Sequence, residues 1–164
     1  TTEIYTLSLH DALPISLLFT MLAAFGRSGR AVYLDLSRSF FPPAASVCGV
    51  DLDRLLAVAP ATVPAALRVA ELLLQHNTAS WIALDLVGQT EILPLIMLHR
   101  LRLKITRTRG LILLLTDNRR TILPPSMTAL RLETTRTSPA TIRIDITKSR
   151  LCREGVAVEI PCHE

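Results

Sequence analysis

AVYLDLSRSFFPPAASVCGVDLDRLLAVAP, residues 31–60, decides how this chain is read. It begins with an apolar run, AVYLDL, broken only by Asp35, and ends with a second, LLAVAP at 55–60. Between them FFPP leads into a short helix. Short apolar runs without polar alternation are the mark of parallel strands buried on both faces, which have no solvent side.

The same alternation continues outward. Pro64 stands where a first helical turn tolerates it, and Ala66, Leu67, Ala70, Leu73 and Leu74 repeat with the helical period. WIALDLVG at 81–88 is the next strand, ending in Asp85. From Leu93 to Thr108 the spacing predicts an amphipathic helix, with Leu98, Leu101 and Ile105 on one face and Arg100, Lys104 and Arg107 on another. GLILLLTDN at 110–118 is a further strand. On the amino-terminal side Leu18, Met21, Leu22 and Phe25 form a helical stripe that Gly26 and Gly29 stop. Helix and strand in alternation predict an α/β fold, a mostly parallel sheet with helices on both faces. From Met127 the pattern changes to period two in ALRLETT, TIRIDIT and VAVEI, as expected of half-exposed antiparallel strands closing one edge of the sheet.

Residues 1–15 fit none of this. Letter for letter they are the translation of a widely used short-read sequencing adapter, so they are read as a scar, an artefact excluded from the fold, and residues 16–164 as one truncated domain. The neighbouring His10 and Asp11 thereby lose any claim to be a catalytic pair. On this reading a strand and loop upstream of Ser16 are lost and a sheet edge is uncovered.

Composition narrows the classes. Hydrophobic residues make up 49% of the 164, ample for a core. Against 18 Lys and Arg stand 14 acids; without Glu3 and Asp11 there are 12, a net charge of +6, moderately basic and compatible with a polyanionic partner. Cys48, Cys152 and Cys162 match neither a disulfide framework nor a zinc site and read as free thiols in a reducing cytoplasm. His76, His99 and His163 have no i, i+4 ligand partner, so no metal is implied by them. The apolar runs are too short for a membrane span, and no membrane partner is expected.

Three of the apolar strands carry an acid or amide at their carboxyl ends, where open α/β sheets bind ligands. IALD, ending at Asp85, has the form of a Walker B strand, whose Asp orients nucleotide-bound magnesium. In context the chain resembles the RecA recombinase superfamily over nearly all of residues 16–164. Gly49, Val50, Asp51, Leu52, Asp53, Leu55 and Leu56 match its G-V-D-[IL]-D-x-L-L, and AALRVAELLL at 65–74 is similar to its A-L-E-I-A-E-x-L helix. The resemblance implies a RecA-like P-loop NTPase core, N-terminally truncated, with antiparallel carboxy-terminal strands. It implies Asp85 and Asp35 as nucleotide and magnesium residues, and Asp117, Asn118 and Arg119 as the sensor that couples nucleotide to DNA. The turn after TIRIDIT makes Lys148 and Arg150 candidates for contact with a neighbouring protomer's nucleotide. Arg100, Lys104, Arg107, Arg119 and Arg120 are candidate DNA contacts.

Two departures shape the functional expectation. Ser37 falls where the superfamily holds its catalytic Glu, and a serine hydroxyl is no general base for water. Asp117 follows Asp85 by only 32 positions, so the DNA-holding loops of a recombinase are shortened. Together they resemble the degenerate ImuA and SulA-like relatives. The implied function is an accessory protein of bacterial DNA repair, the SOS response and translesion synthesis, acting through polymerase components, RecA-like protomers and DNA without efficient ATP hydrolysis. The alternative is a fragment of a DNA-dependent ATPase recombinase, with Asp35 as substitute base. The chain has no Gly-rich phosphate loop, so ATP and Mg²⁺ are expected only of a full-length protein.

Overall fold

Eight strands form one sheet in the order β3-β2-β4-β5-β1-β6-β7-β8. This computed structural model describes residues 4–9, 14–25, 29–89, 93–108, 110–117, 127–138, 141–150 and 153–161. The strands are β1 (Ile4–Leu9), β2 (Ala31–Asp35), β3 (Leu55–Val58), β4 (Trp81–Asp85), β5 (Leu111–Asp117), β6 (Leu130–Ser138), β7 (Thr141–Ser149) and β8 (Ala157–Pro161). The helices are α1 (Pro14–Phe25), α2 (Pro42–Val47), α3 (Val63–Gln75) and α4 (Leu95–Thr108). The predicted alternation is therefore present, with β3-β2-β4-β5 paired parallel throughout.

Strand alternation assigns the core to two layers. Val32 and Leu34 of β2, Ile82 and Leu84 of β4, and Ile112 and Leu114 of β5 face α3 and α4, packing on Ala66, Leu67, Ala70, Leu74, Leu98, Leu101 and Ile105. Their neighbours Ala31, Tyr33, Ala83, Leu111, Leu113 and Leu115 face α1 and α2, against Leu18, Phe19, Leu22 and Ala45. Helices cover both faces, which is why β2 is buried at all five positions and could carry no polar alternation. Each fully buried Leu or Ile contributes about 1.5–3 kcal/mol.

The largest departure from the sequence reading is β1. Residues 4–9, set aside as a scar, lie in the middle of the sheet, pairing parallel with β5 along six register positions and with β6 along five. The expected open edge is filled. A parallel ladder is made by backbone N–H and C=O, so an extended, β-prone sextet such as IYTLSL satisfies it whatever its origin. α1 likewise begins at Pro14, inside the excluded segment. The carboxy-terminal strands do close one edge, with β6, β7 and β8 paired antiparallel in turn; the difference is that β6 joins the rest of the sheet parallel to β1. Among the described residues no helix is long and apolar enough to cross a membrane.

Candidate functional site

Asp35 and Asp85 end β2 and β4 and are register partners across that parallel pair. Both therefore stand at the carboxyl end of the sheet, on the face that also holds Tyr33, two residues before Asp35 on the same strand. Asp85 is fully buried and Asp35 nearly so. The turn that follows β2, Leu36–Phe41, folds back over them. Arg38 there adopts a left-handed backbone (φ 56°), which turns Ser37 and Ser39 to the same side.

The hydrogen bonds are dense. Asp85 Oδ2 accepts from Tyr33 Oη at 2.9 Å, Ser37 Oγ at 2.5 Å and Ser39 Oγ at 3.0 Å, and Oδ1 accepts from the Val87 N–H at 3.0 Å. Asp35 Oδ1 accepts from the Ser39 N–H at 3.0 Å and Oδ2 from the Phe40 N–H at 3.1 Å. Ser37 Oγ also lies 3.2 Å from Asp35 Oδ1. A hydroxyl has one proton; distance assigns that of Ser37 to Asp85, and Ser39 Oγ, 2.6 Å from Ser37 Oγ and 3.0 Å from Asp85 Oδ2, donates to one or the other. Burial, and then the Asp85 carboxylate, push the Tyr33 phenol well above its usual range. Its ring packs on Phe19 and Phe40, with centroids 6.0 and 5.1 Å away, so the donor cannot swing out.

Every carboxylate oxygen here is already an acceptor from the chain itself. Mg²⁺ takes six oxygens at about 2.1 Å in near-octahedral order. An ion held through Asp85 Oδ2 would displace the Ser37 and Ser39 hydroxyls and unpin the turn, whereas Asp85 Oδ1 and Asp35 Oδ2 each accept one N–H and keep a lone pair for a metal or its water. What the arrangement does chemically is hold a buried carboxylate among three hydroxyls and an N–H and lock the β2–α2 connection. His76 and His99 are exposed on other elements, so no Ser-His-Asp relay forms among the described residues. No group of three His, Cys, Asp or Glu side chains forms there either.

The other candidates fall in separate places. Asp117 closes β5, two positions beyond the register partner of Asp85; Asn118, Arg119 and Arg120 lie outside the described residues. So do His163, Cys152 and Cys162, and Cys48 is a half-buried free thiol. Lys148 pairs with Arg131 of β6, which the register through β1 and β5 sets level with Leu84; it and Arg150 are separated from Asp35 and Asp85 across the sheet, with β5 and β1 lying between β4 and β6. Arg107 is exposed on the last turn of α4.

Arg100 and Lys104 are committed elsewhere. Glu71 of α3, almost wholly buried, receives Arg100 Nη2 at 2.6 Å and Lys104 Nζ at 3.2 Å on Oε1, and Arg68 Nη1 at 2.9 Å on Oε2. Burial alone would raise the Glu71 carboxyl; the bonds from Arg68 and Lys104 and the charge of Arg100 outweigh it and hold it below the usual carboxylate range. These two cations knit α3 to α4 and do not present a free basic face.

Tyr33, Ser39 and Glu71 escaped the sequence reading. For Tyr33 the signal was its i, i+2 relation to Asp35 on one strand face. For Glu71 it was position: Leu67 to Glu71 is an i, i+4 step along the apolar stripe, where a charge has to find partners.

No protein-family model and no curated protein sequence matches the chain. It is a mixed α/β protein whose paired aspartates sit at the carboxyl end of a parallel sheet.

Proposed function

We propose that the chain is a RecA-like accessory protein of bacterial DNA damage tolerance, in the SOS and translesion setting, which works by contact and does not turn over ATP efficiently. The carrying observation is Ser37. It stands where the resemblance requires a catalytic Glu, and its hydroxyl is a donor to Asp85 at 2.5 Å, so no carboxylate is presented to a water at that position. Further support is the layout of parallel strands ending in Asp35 and Asp85, with β7 and β8 added at one edge.

The alternative, a DNA-dependent ATPase, needs Asp35 as the base. Both Asp35 oxygens accept from the backbone of the following turn, which argues against that role.

The test, made in the full-length protein with its phosphate loop restored, is ATP turnover with and without DNA, alongside binding to purified translesion polymerase subunits and to a recombinase. Binding to one of them with phosphate release no faster than the Asp35→Asn variant supports the proposal. DNA-stimulated turnover that Asp35→Asn abolishes would replace it with the ATPase reading.

A further inference from the structure

With Arg100 and Lys104 tied to Glu71, a third basic residue of α4 points elsewhere. Each helical residue advances about 100°, so Arg102, two positions from both, stands about 200° from them. That turns it away from α3, and its charge reaches Lys148 of β7, where β7 pairs with β6.

That pairing is irregular. Opposed residues run from Ser138–Thr141 to Leu132–Ile146, and then the register skips Thr147 so that Lys148 comes opposite Arg131. In unbroken alternation Lys148 would share the face of Ile144 and Ile146. The bulge moves it to the face of Arg131, the kind of re-aiming that bulges perform. Like charges directly opposite each other in a sheet are unfavourable, yet here the backbone irregularity creates such a pair. Arg150, whose N–H bonds the Ala129 carbonyl at 2.9 Å, closes the end of the same strand pair. Burial holds the Lys148 ammonium below its usual range, and Arg150, Arg131 and Arg102 lower it further, while the Glu154 carboxylate acts the other way. Glu154 Oε1 itself accepts the Ser149 N–H at 3.1 Å.

Cations from α4, β6 and the end of β7 thus come together around Lys148, with Glu154 beside it. Guanidinium forks match phosphate oxygens in paired bonds, and a partly desolvated ammonium supplies a point charge beside them. We infer that Arg102, Arg131, Lys148 and Arg150 form a binding site for the phosphates of a nucleic-acid backbone. The site lies across the sheet from the aspartates, beyond β5 and β1, and makes no use of Asp35, Ser37 or Asp85, so it stands or falls separately from the proposed function.

The experiment is fluorescence anisotropy of the full chain with a labelled oligothymidylate in phosphate-free buffer, over a range of salt. Lys148→Gln and Arg102→Gln should each weaken binding about tenfold and lower the log–log salt slope by about one, whereas Arg38→Gln should change neither. If Lys148→Gln fails to melt like the parent, Arg102→Gln, on a helix surface, carries the test. No binding by the parent chain overturns the assignment. So does loss in Arg107→Gln with none in the site variants. Inorganic tripolyphosphate is the second arm: displacement of the oligonucleotide at equal phosphate concentration reassigns the site to free oligophosphate, and failure to displace it supports the backbone.

Discussion

At the residue scale, Asp85 shows how one buried side chain organises its surroundings. Its donors come from β2, from the turn after β2 and from its own strand end; removing it orphans the buried Tyr33 hydroxyl and strips the Val87 N–H of its partner, while Ser37 and Ser39, 2.6 Å apart and open to solvent, keep each other. Asp85→Ala should lower stability by about 3 kcal/mol, the upper end of the range for leaving a buried hydroxyl unpaired, with the emptied side-chain site adding to it. Asp85→Asn should cost less, about 1–2 kcal/mol, because the hydroxyl rotors can turn to accept from the new amide. Urea midpoints for the two variants decide this, and equal losses would show that the hydroxyls do not reorient. Tyr33→Phe should cost about 1 kcal/mol near neutral pH. The sign in alkali follows from the raised Tyr33 value: its contribution is complete below about pH 10, the ordinary phenol range, and is lost only as pH climbs towards the folded value. The difference between parent and Tyr33→Phe should therefore shrink only above pH 10.

At the element scale, α3 is defined at both ends by local chemistry. Thr62 caps its amino end, with Oγ1 accepting the Ala65 N–H at 3.3 Å, and Pro64 sits in the first turn. At the other end Thr78 N–H bonds the Leu73 carbonyl and Asn77 N–H the Leu74 carbonyl, the two bonds of a Schellman stop, with Asn77 left-handed at φ 52°. Asn77→Gly should raise the melting temperature slightly, by about 0.5 kcal/mol of stability, and Asn77→Ala should lower it by about 1 kcal/mol. The same helix carries Glu71. Because Glu71 is held below the ordinary carboxylate range, its contribution is present above about pH 4.3, the unfolded value, and is lost as pH falls through the folded one. Its three partners are partly exposed, so the effect is discounted to about 1–2 kcal/mol. Glu71→Gln should lose that much at pH 7 and nothing near pH 2, as read by chemical denaturation at both values.

At the scale of the whole molecule, β1 joins two halves of one sheet. It connects β5, which belongs to the four parallel strands, to β6, which begins the carboxy-terminal set. Thr6 pairs with Leu114 on one side and Arg131 on the other. Thr6→Pro removes an N–H from the ladder and should cost about 3 kcal/mol or more. Hydrogen exchange should then speed up in β5 and β6 and remain slow in β2. Unchanged protection in β5 and β6 would mean that this segment is not structurally required, as the scar reading of residues 1–15 holds.

Much of this architecture was legible in the chain. Apolar runs and the stripe of Ala66, Leu67, Ala70 and Leu74 located β2, β4, β5 and α3, since burial on two faces or on one stripe leaves a periodic record. Asp35 and Asp85 were legible as strand-end acids. Tertiary structure alone decided the rest. It set Asp35 and Asp85 in register and closed the Ser37 turn on them, because hydrogen-bond partners 46 or 48 residues apart leave no local pattern. It sent Arg100 and Lys104 to Glu71, because a solvated basic face and a paired one have the same spacing in sequence. It placed residues 4–9 at the centre of the sheet, because a parallel ladder is made of backbone groups that every extended segment carries, and only the gap between β5 and β6 determines which segment fills it.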